Sequence, residues 1–452
     1  MSEIKSSLFK AYDIRGLSPG EIDGETAYRV GQALVAFSEA KAVVVGRDMR
    51  ATSLALEKEV VRGIRSQGAD SIRIGLTTTP MFYFAAAFYE LHDAGIMVTA
   101  SHNPPEYNGF KMVLDDAMPI GQGSGMEEIR DRVLLGELPE KSLGYEVETS
   151  VIDAYVSRLN ELVAPDSLAP VGIVIDAGNG MAGHVLPRVL KSYPAIKAES
   201  LYFDLDGSFP NHEANPIKVE TLKDLQDKVR RSGAAFGVAY DGDADRVGIV
   251  DENGAVVEAH YVLALLAREF LRQRPGSTVL YDVRSSRVVA ETIEEAGGRP
   301  LMTRVGHAFI KKTLRETGAV MAGEYSSHFY FKDFYGVECS DLVLLLIAKI
   351  LTAEKKPLSA LIAPFRRYAH SGEINFQVED KAGVIRSVEE SFVKTANSVW
   401  REDGIRLDFD DWWFSLRSSN TEPLLRLVVE GRTPDLMQEK RQELEQLILG
   451  RK

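Results

Sequence analysis

Ala235-Phe-Gly-Val-Ala-Tyr240 runs straight into Asp241-Gly-Asp-Ala-Asp-Arg246, and Val247-Gly-Ile-Val250 follows at once. The flanking runs are short, apolar and bounded by turn formers, which predicts strands. The loop between them carries three alternating carboxylates. Three aspartates side by side repel one another unless a cation sits among them. Oxygen ligands at this spacing suit one hard divalent ion. The spacing also imitates the start of an EF-hand, with Glu252 at the twelfth position. Arg246 stands where that loop requires glycine, however, and the flanks are strands rather than helices, so a calcium hand is rejected.

This strand-to-loop unit is the last of a set of three, and the set recurs. The first set reads Ala42-Val-Val-Val-Gly46, Ser71-Ile-Arg-Ile-Gly75 and Ala94-Gly-Ile-Met-Val-Thr99. The second reads Gly172-Ile-Val-Ile-Asp176, Ser200-Leu-Tyr-Phe-Asp204 and Ala235 to Tyr240. The third reads Thr278-Val-Leu-Tyr-Asp282, Arg299-Pro-Leu-Met-Thr303 and Ala319-Val-Met-Ala-Gly323. Helical stretches rich in Leu, Ala and Val separate most of these runs. Alternation of this kind predicts α/β units on mixed, mainly parallel sheets. Each third run enters a polar loop: Ala100-Ser-His-Asn-Pro104, Asp241 to Arg246, or Glu324-Tyr-Ser-Ser-His328. Ligands of open α/β sheets bind beyond the carboxyl ends of strands, so the three loops are expected to face one cleft.

The tail is different. Glu373-Ile-Asn-Phe-Gln-Val378 alternates like a half-buried strand, and Ser387 to Trp400 reads as a helix. Trp412 to Leu416 and Leu424 to Val429 read as strands, and Pro434 to Leu449 as a closing amphipathic helix. The expected fold is three related α/β domains plus a C-terminal α+β domain around a central cleft. The predicted domains are 1–148, 149–252, 253–363 and 364–452.

The bulk composition sets limits. The chain has 452 residues and a net charge of −13, a poor match for nucleic acid or an anionic membrane. An anionic substrate would need local basic spots. The lone Cys339 forbids an internal disulfide, and the apolar run beginning at Leu342 makes it a packed, inert thiol and predicts a core helix rather than a membrane span. Met1-Ser-Glu-Ile-Lys5 has no apolar core of a signal peptide, so a cytoplasmic location is expected.

Six further segments carry chemistry. Ser101 sits at a strand end in a Pro-ended turn, exposed and rigid, which suits a nucleophile; taken alone, the same residues serve equally as a capped turn. Its neighbour His102 is expected to point away, as adjacent side chains do, so no simple dyad is read. Lys111, in Asn108-Gly-Phe-Lys111, would lower a nearby hydroxyl's pKa or act as a base; alone it would pass for a surface lysine. Tyr12-Asp-Ile-Arg-Gly16 is a tight basic turn whose Arg15 suits phosphoryl charge. Glu324, Ser326 and His328 offer an acceptor, a hydroxyl and an imidazole, a set suited to sugar hydroxyls, although a polar connection would read the same way. Val305-Gly-His307 is a similar loop before a helix. Arg417-Ser-Ser-Asn-Thr-Glu-Pro423 places a guanidinium beside hydroxyls and turn amides, which makes a phosphate clamp.

Together the segments Tyr12–Gly16, Thr99–Pro104, Asp241–Arg246, Gly323–His328 and Arg417–Pro423 resemble the α-D-phosphohexomutase family, in its bacterial phosphomannomutase/phosphoglucomutase branch. They stand in the family's order and span almost the whole chain. The resemblance implies that Ser101 carries a phosphoryl group. It implies a Mg²⁺ held by Asp241, Asp243, Asp245 and a phosphoserine oxygen, with Arg15 and Arg246 stabilising the moving phosphoryl. Lys111 and His102 would assist proton transfer. Tyr12, Arg284, Gly306, His307, Glu324, Ser326 and His328 would line the sugar site, and Arg417, Ser419, Asn420 and Thr421 would grip the phosphate that does not react.

The implied reaction interconverts mannose 6-phosphate and mannose 1-phosphate through a hexose 1,6-bisphosphate. Glucose phosphates, or both sugars, form the alternative, and glucosamine phosphate fits less well. Three departures bear on the sugar: Tyr325 and Ser327 replace the Met and Gly usual in Gly-Glu-Met-Ser-Gly-His, and Arg284 stands where relatives often carry Lys. Asn420 fits the mannose/glucose branch. A metal-dependent sugar phosphatase and an inactive sugar-phosphate binder are the rivals; the clamp argues against the first and the intact Ser101 and aspartates against the second. The absence of P-loop and G-x-G-x-x-G patterns removes a nucleotide-binding reading. The partner is a small sugar phosphate, and a monomer or dimer is expected.

Overall fold

A computed structural model describes residues 4–419 and 424–450. Its architecture is four sheets, three of them built on one plan. In each of the three, the first strand of the set is central: Ala42–Arg47, Val171–Asp176 and Thr278–Asp282. The second strand lies parallel on one side: Asp70–Leu76, Ile196–Leu201 and Arg299–Thr303. The third lies parallel on the other: Ala94–Val98, Phe236–Tyr240 and Met321–Gly323. A fourth strand returns antiparallel: Tyr107–Leu114, Val247–Asp251 and Phe329–Phe331. The expected triplication therefore holds, and the fourth strand makes every sheet mixed.

The third strands are buried along their whole length, as continuous apolar runs between covering layers must be. The turn that follows each one contains a single non-glycine residue in the left-handed region. These are Ser101 at φ 51°, Ala244 at φ 60° and Ser327 at φ 66°. The three polar loops are thus equivalent hairpin turns at the same end of equivalent strands, which is why they converge.

The first three domains share one apolar cluster. It joins Phe82 and Phe84 of the helix Thr79–Phe88, Tyr155 of the helix Ile152–Leu162, Val238 of the second sheet and Val343 of the helix Ser340–Glu354. That last helix is the expected core helix. Cys339 is buried just before it, and burial pushes its thiol well up, so it is inert. Among the described residues no helix is long and apolar enough to cross a membrane.

The fourth domain keeps its own core of Phe376, Leu407, Phe414, Leu427 and Leu444 beneath an antiparallel sheet. It docks on the third domain through polar contacts. Arg406 donates to the carbonyls of Val283 at 2.9 Å and Ser285 at 3.3 Å. His370 Nε2 lies 3.0 Å from the carbonyl of Arg284, and the amide of Val305 donates to Asp403 at 3.0 Å.

Two elements depart from the sequence reading. The predicted helix Ser387–Trp400 is instead a helix Lys381–Phe392 followed by a strand Ser398–Trp400. Asp380 caps the helix by accepting from the amide of Gly383, which starts it six residues early, and Val399 pairs with Leu407 in the sheet. The predicted strand Ser200–Asp204 ends at Leu201 because Tyr202 turns left-handed at φ 55°.

Ser327 holds a left-handed conformation in the place where the resembled family carries glycine. Relief of the Cβ clash is expected to make Ser327→Gly more stable by about 0.5–1 kcal/mol, net of glycine's greater unfolded-state freedom. Thermal unfolding of the two chains checks this, and a lower midpoint in the variant contradicts it.

Candidate active site

Ser101 lies at the mouth of its strand and is 2% exposed. Its hydroxyl donates to Asp241 Oδ2 at 2.6 Å. The left-handed turn also brings His102 Nδ1 to 3.3 Å from the same oxygen. The sequence expectation that His102 points away is therefore corrected: positive φ at Ser101 turns the two side chains to one side. Burial lowers the His102 pKa well below its usual value, and Arg246 and Arg15 add to the effect, so the ring is neutral.

The turn is held from three directions. The amide of Ser101 donates to Thr99 Oγ1 at 3.0 Å. Arg15 donates to the carbonyl of Ala100 and to Asn103 Oδ1, with its own charge paired to Asp13 at 2.8 Å. Arg50, itself only 3% exposed, donates to the carbonyls of Ser101 at 2.8 Å, Asn103 at 2.6 Å, Pro104 at 2.7 Å and Tyr107 at 3.0 Å. Sequence reasoning missed Arg50. Its signal was present in Gly46-Arg-Asp-Met-Arg50, a charged segment leaving the carboxyl end of a central strand.

The three aspartates are fully buried, with candidate ligand atoms all within 4.8 Å of one another. Asp243 Oδ2 accepts from Thr79 Oγ1 at 2.7 Å, and Lys111 Nζ lies 3.0 Å from the same oxygen and still closer to Asp245. Asp243 Oδ1 lacks a hydrogen-bond partner among the described residues, and Asp245 Oδ1 faces the His328 ring at 3.3 Å. Burial pushes the Asp241 carboxyl well up, and the charges of Asp245 and Asp243 push it further. Burial would lower the Lys111 ammonium, but Asp243 and Asp245 hold it well above the usual range. A set of hard oxygen donors with unsatisfied lone pairs and one lysine already drawn in fits a divalent cation.

The third loop is a charged network. Glu324 Oε1 accepts from Tyr330, and Oε2 accepts from the amide of Gly306 at 3.2 Å. Burial would raise Glu324, but His328 and Arg284 bring it down to about 2. Burial would lower His328, but Asp245 and Glu324 raise it to about 9. His328 Nδ1 lies 3.0 Å from Ser326 Oγ, and its Nε2 lies 3.3 Å from Asp245, so the third loop touches the second. Gly306 sits at φ 126°, and a Cβ there would meet the Tyr12 ring at 3.1 Å. His307 packs edge-on against Tyr12 at 4.7 Å, and neither ring nitrogen has a hydrogen-bond partner among the described residues. Burial lowers its pKa well below the usual value, followed by the charges of Lys311 and Lys111, so a neutral imidazole faces the cleft.

Arg284 pairs with Asp282 at 2.5 Å and lies 3.6 Å from Glu324. Arg417, 2% exposed, donates Nε to Asp403 at 3.1 Å. Ser419 borders the same opening, whereas Asn420 and Thr421 lie outside the described residues.

One cleft of about 860 Å³ unites these groups. Every sequence candidate within the described residues lines it except Asp241 and Asp243, which are wholly buried. All four domains contribute. Lys218 of the second domain and Glu373 and Arg426 of the fourth also line it, and sequence reasoning had assigned them no role. One end of the cleft thus holds a hydroxyl, a carboxylate cluster and two arginines; the other holds a separate set of arginines on the fourth domain. A molecule charged at both ends is the natural occupant.

Four family models match in order: phosphoglucomutase/phosphomannomutase alpha/beta/alpha domain I over residues 6–137, domain II over 153–254, domain III over 258–368, and the C-terminal domain over 373–447. A phosphomannomutase of Salmonella typhimurium is 38% identical, with 95% of each chain covered. A phosphomannomutase of Methanocaldococcus jannaschii is also 38% identical, over 98% of this chain and 97% of its own. A solved phosphoglucomutase/phosphomannomutase family protein from Burkholderia thailandensis superposes with a TM-score of 0.91 at 33% identity, covering 98% of this chain and 97% of that one. Parafusin from Paramecium, 15% identical, shares the fold with a TM-score of 0.81 over 99% of this chain and 95% of its own. The chain belongs to the phosphoglucomutase/phosphomannomutase family.

Proposed function

We propose that this protein is a phosphomannomutase that interconverts mannose 6-phosphate and mannose 1-phosphate in the cytoplasm, as a monomer or dimer. The observation that carries the reading is a buried Ser101 hydroxyl on Asp241 at one end of a four-domain cleft whose other end bears arginines. The full-length likeness to phosphomannomutases supports mannose as the first choice and leaves glucose as the alternative. We divide the chain at about 148, 252 and 363; the strand Val256–Val257 completes the second sheet from just beyond the second boundary.

In the proposed cycle Ser101 rests as a phosphoserine. Its phosphorus is attacked by the free hydroxyl of a hexose monophosphate, the bond to Ser101 Oγ breaks, and a hexose 1,6-bisphosphate forms. The sugar turns end for end. Ser101 Oγ then takes the other phosphoryl, which leaves the isomer. Asp241, Asp243, Asp245 and a phosphoserine oxygen would hold Mg²⁺, which supplies positive charge to the moving phosphoryl. Arg15 and Arg246 flank that group. Neutral His102, beside Ser101 Oγ, suits proton acceptance, and charged Lys111 suits charge supply or proton return. Tyr12, Arg284, Gly306, His307, Glu324, Ser326 and His328 would read the sugar, and Arg417, Ser419, Asn420 and Thr421 would hold the distal phosphate. Arg50 fixes the Ser101 turn without facing the reacting atoms.

The deciding assay supplies Mg²⁺ and a trace of hexose 1,6-bisphosphate and compares mannose, glucose and glucosamine 1-phosphates by kcat/KM. The 6-phosphate should form without phosphate release, fastest from mannose 1-phosphate. Ser101→Ala should lose at least roughly a thousandfold in kcat. Release of phosphate without isomer identifies a phosphatase, and no turnover of any sugar identifies a binding protein. Chelation should abolish turnover and added Mg²⁺ restore it; full activity in excess chelator removes the metal from the scheme. Arg50→Lys, which cannot span four carbonyls, should lower kcat by about tenfold to a hundredfold through misplacement of the turn. Unchanged kcat in that variant shows that the turn holds itself.

A further inference from the structure

Glu373 follows Gly372 at the joint between the third and fourth domains and immediately precedes the strand Ile374–Phe376, which pairs with Leu425–Gly431. Its carboxylate is shared by three arginines. Arg426 Nη1 lies 3.0 Å from Oε1, while Arg284 Nη1 lies 3.4 Å and Arg417 Nη1 3.9 Å from Oε2. Arg417 Nη1 is buried and has no hydrogen-bond partner among the described residues. All four side chains line the cleft. Arg284 belongs to the third domain and the other two arginines to the fourth, so one carboxylate spans the sugar end and the clamp. Burial would raise the pKa of Glu373, but the arginines hold it below its usual value, so it is an anion.

Three guanidinium groups this close repel one another; Asp282 offsets part of the charge of Arg284 and Asp403 part of that of Arg417, and Glu373 adds a carboxylate that all three reach. A bound phosphate dianion would supply that charge itself, and Glu373 would then stand as a like charge beside it. We propose that Glu373 is a positioning residue, a resident counter-anion that keeps Arg284, Arg417 and Arg426 gathered and that the non-reacting phosphate of the substrate displaces. Its effect is to preform the clamp while limiting its grip. The phosphate-binding part stands on geometry alone; the purpose of a limited grip rests on the mutase reading, in which a bisphosphate must leave the clamp to turn.

The test is calorimetric titration of the full chain with inorganic phosphate. Glu373→Gln keeps shape and hydrogen bonding but removes the charge. It should bind phosphate roughly tenfold more tightly, the effect of deleting one nearby like charge. KM for the hexose phosphate should fall with it, and kcat should fall because the intermediate turns more slowly. Glu373→Asp keeps the charge and should leave phosphate affinity near that of the parent. Weaker or unchanged phosphate binding in Glu373→Gln overturns the proposal, as does equal tightening in both variants. Should the Gln chain fail to fold, a structure of the unmodified protein with phosphate bound decides: Glu373 parted from Arg417 and Arg426 supports the proposal, and retention of both contacts overturns it. Tighter phosphate binding in a chain that turns over no sugar leaves the counter-anion standing and removes the mutase.

Discussion

Three carboxylates buried within 4.8 Å of one another are the constraint on which the site depends. They cannot all remain charged without cations at hand. The nearest is Lys111 from the antiparallel strand of the first domain, and His328 from the third domain touches Asp245. Charge balance in the second domain is therefore met by its own Arg246, 3.8 Å from Asp241, together with its neighbours on both sides. The same carboxylates accept from Ser101 and Thr79 of the first domain. The reacting end is thus built where the three domains meet, and one close-packed apolar cluster runs through all three.

The fourth domain is attached on other terms. Its core is its own, and its contacts with the third domain include guanidinium-to-carbonyl bonds, the ion pairs Arg284–Glu373 and Arg367–Glu291, the Val305 amide on Asp403 and a stack in which Tyr325 lies 5.2 Å from His370. Polar interfaces of this kind permit relative motion where a continuous core does not. Arg284 sits where the two regimes meet. The backbone around it is bonded by the fourth domain, and its side chain is paired within the third. The choice of Arg rather than Lys gains a planar group that bonds Asp282 and reaches Ser326 and Glu373 at once.

Much of this was legible in the sequence because it rests on local signals. Apolar runs, turn formers and the three-fold order of runs gave the sheets and the convergence of their loops. Ser101, the aspartates, Glu324 and His328 stood on those loops and came together as expected. What was not legible depends on distance along the chain. Arg50 acts on carbonyls some fifty residues away, and nothing near it in the sequence marks those partners. The nearness of His102 to Ser101 Oγ follows from a positive φ that no side chain there announces. The helix after Asp380 was misplaced because the cap at Asp380 was not read as its start, and the strand Ser398–Trp400 is fixed by pairing with the distant Ile405–Asp408.

The two ends of the cleft are built to opposite rules, and a reversible two-ended transfer needs that difference. At the Ser101 end the groups are fixed by many bonds, so a phosphoryl carried there would meet a preorganised set of charges. At the Arg417 end the holding groups sit on a domain with its own core and polar seams. If both ends were rigid, a bisphosphate would be trapped in the orientation in which it formed. If both were loose, the reacting hydroxyl would not be held in line with the serine. In the proposed cycle, a fixed chemical end and an adaptable holding end would allow Ser101 to serve both phosphate positions of the same sugar.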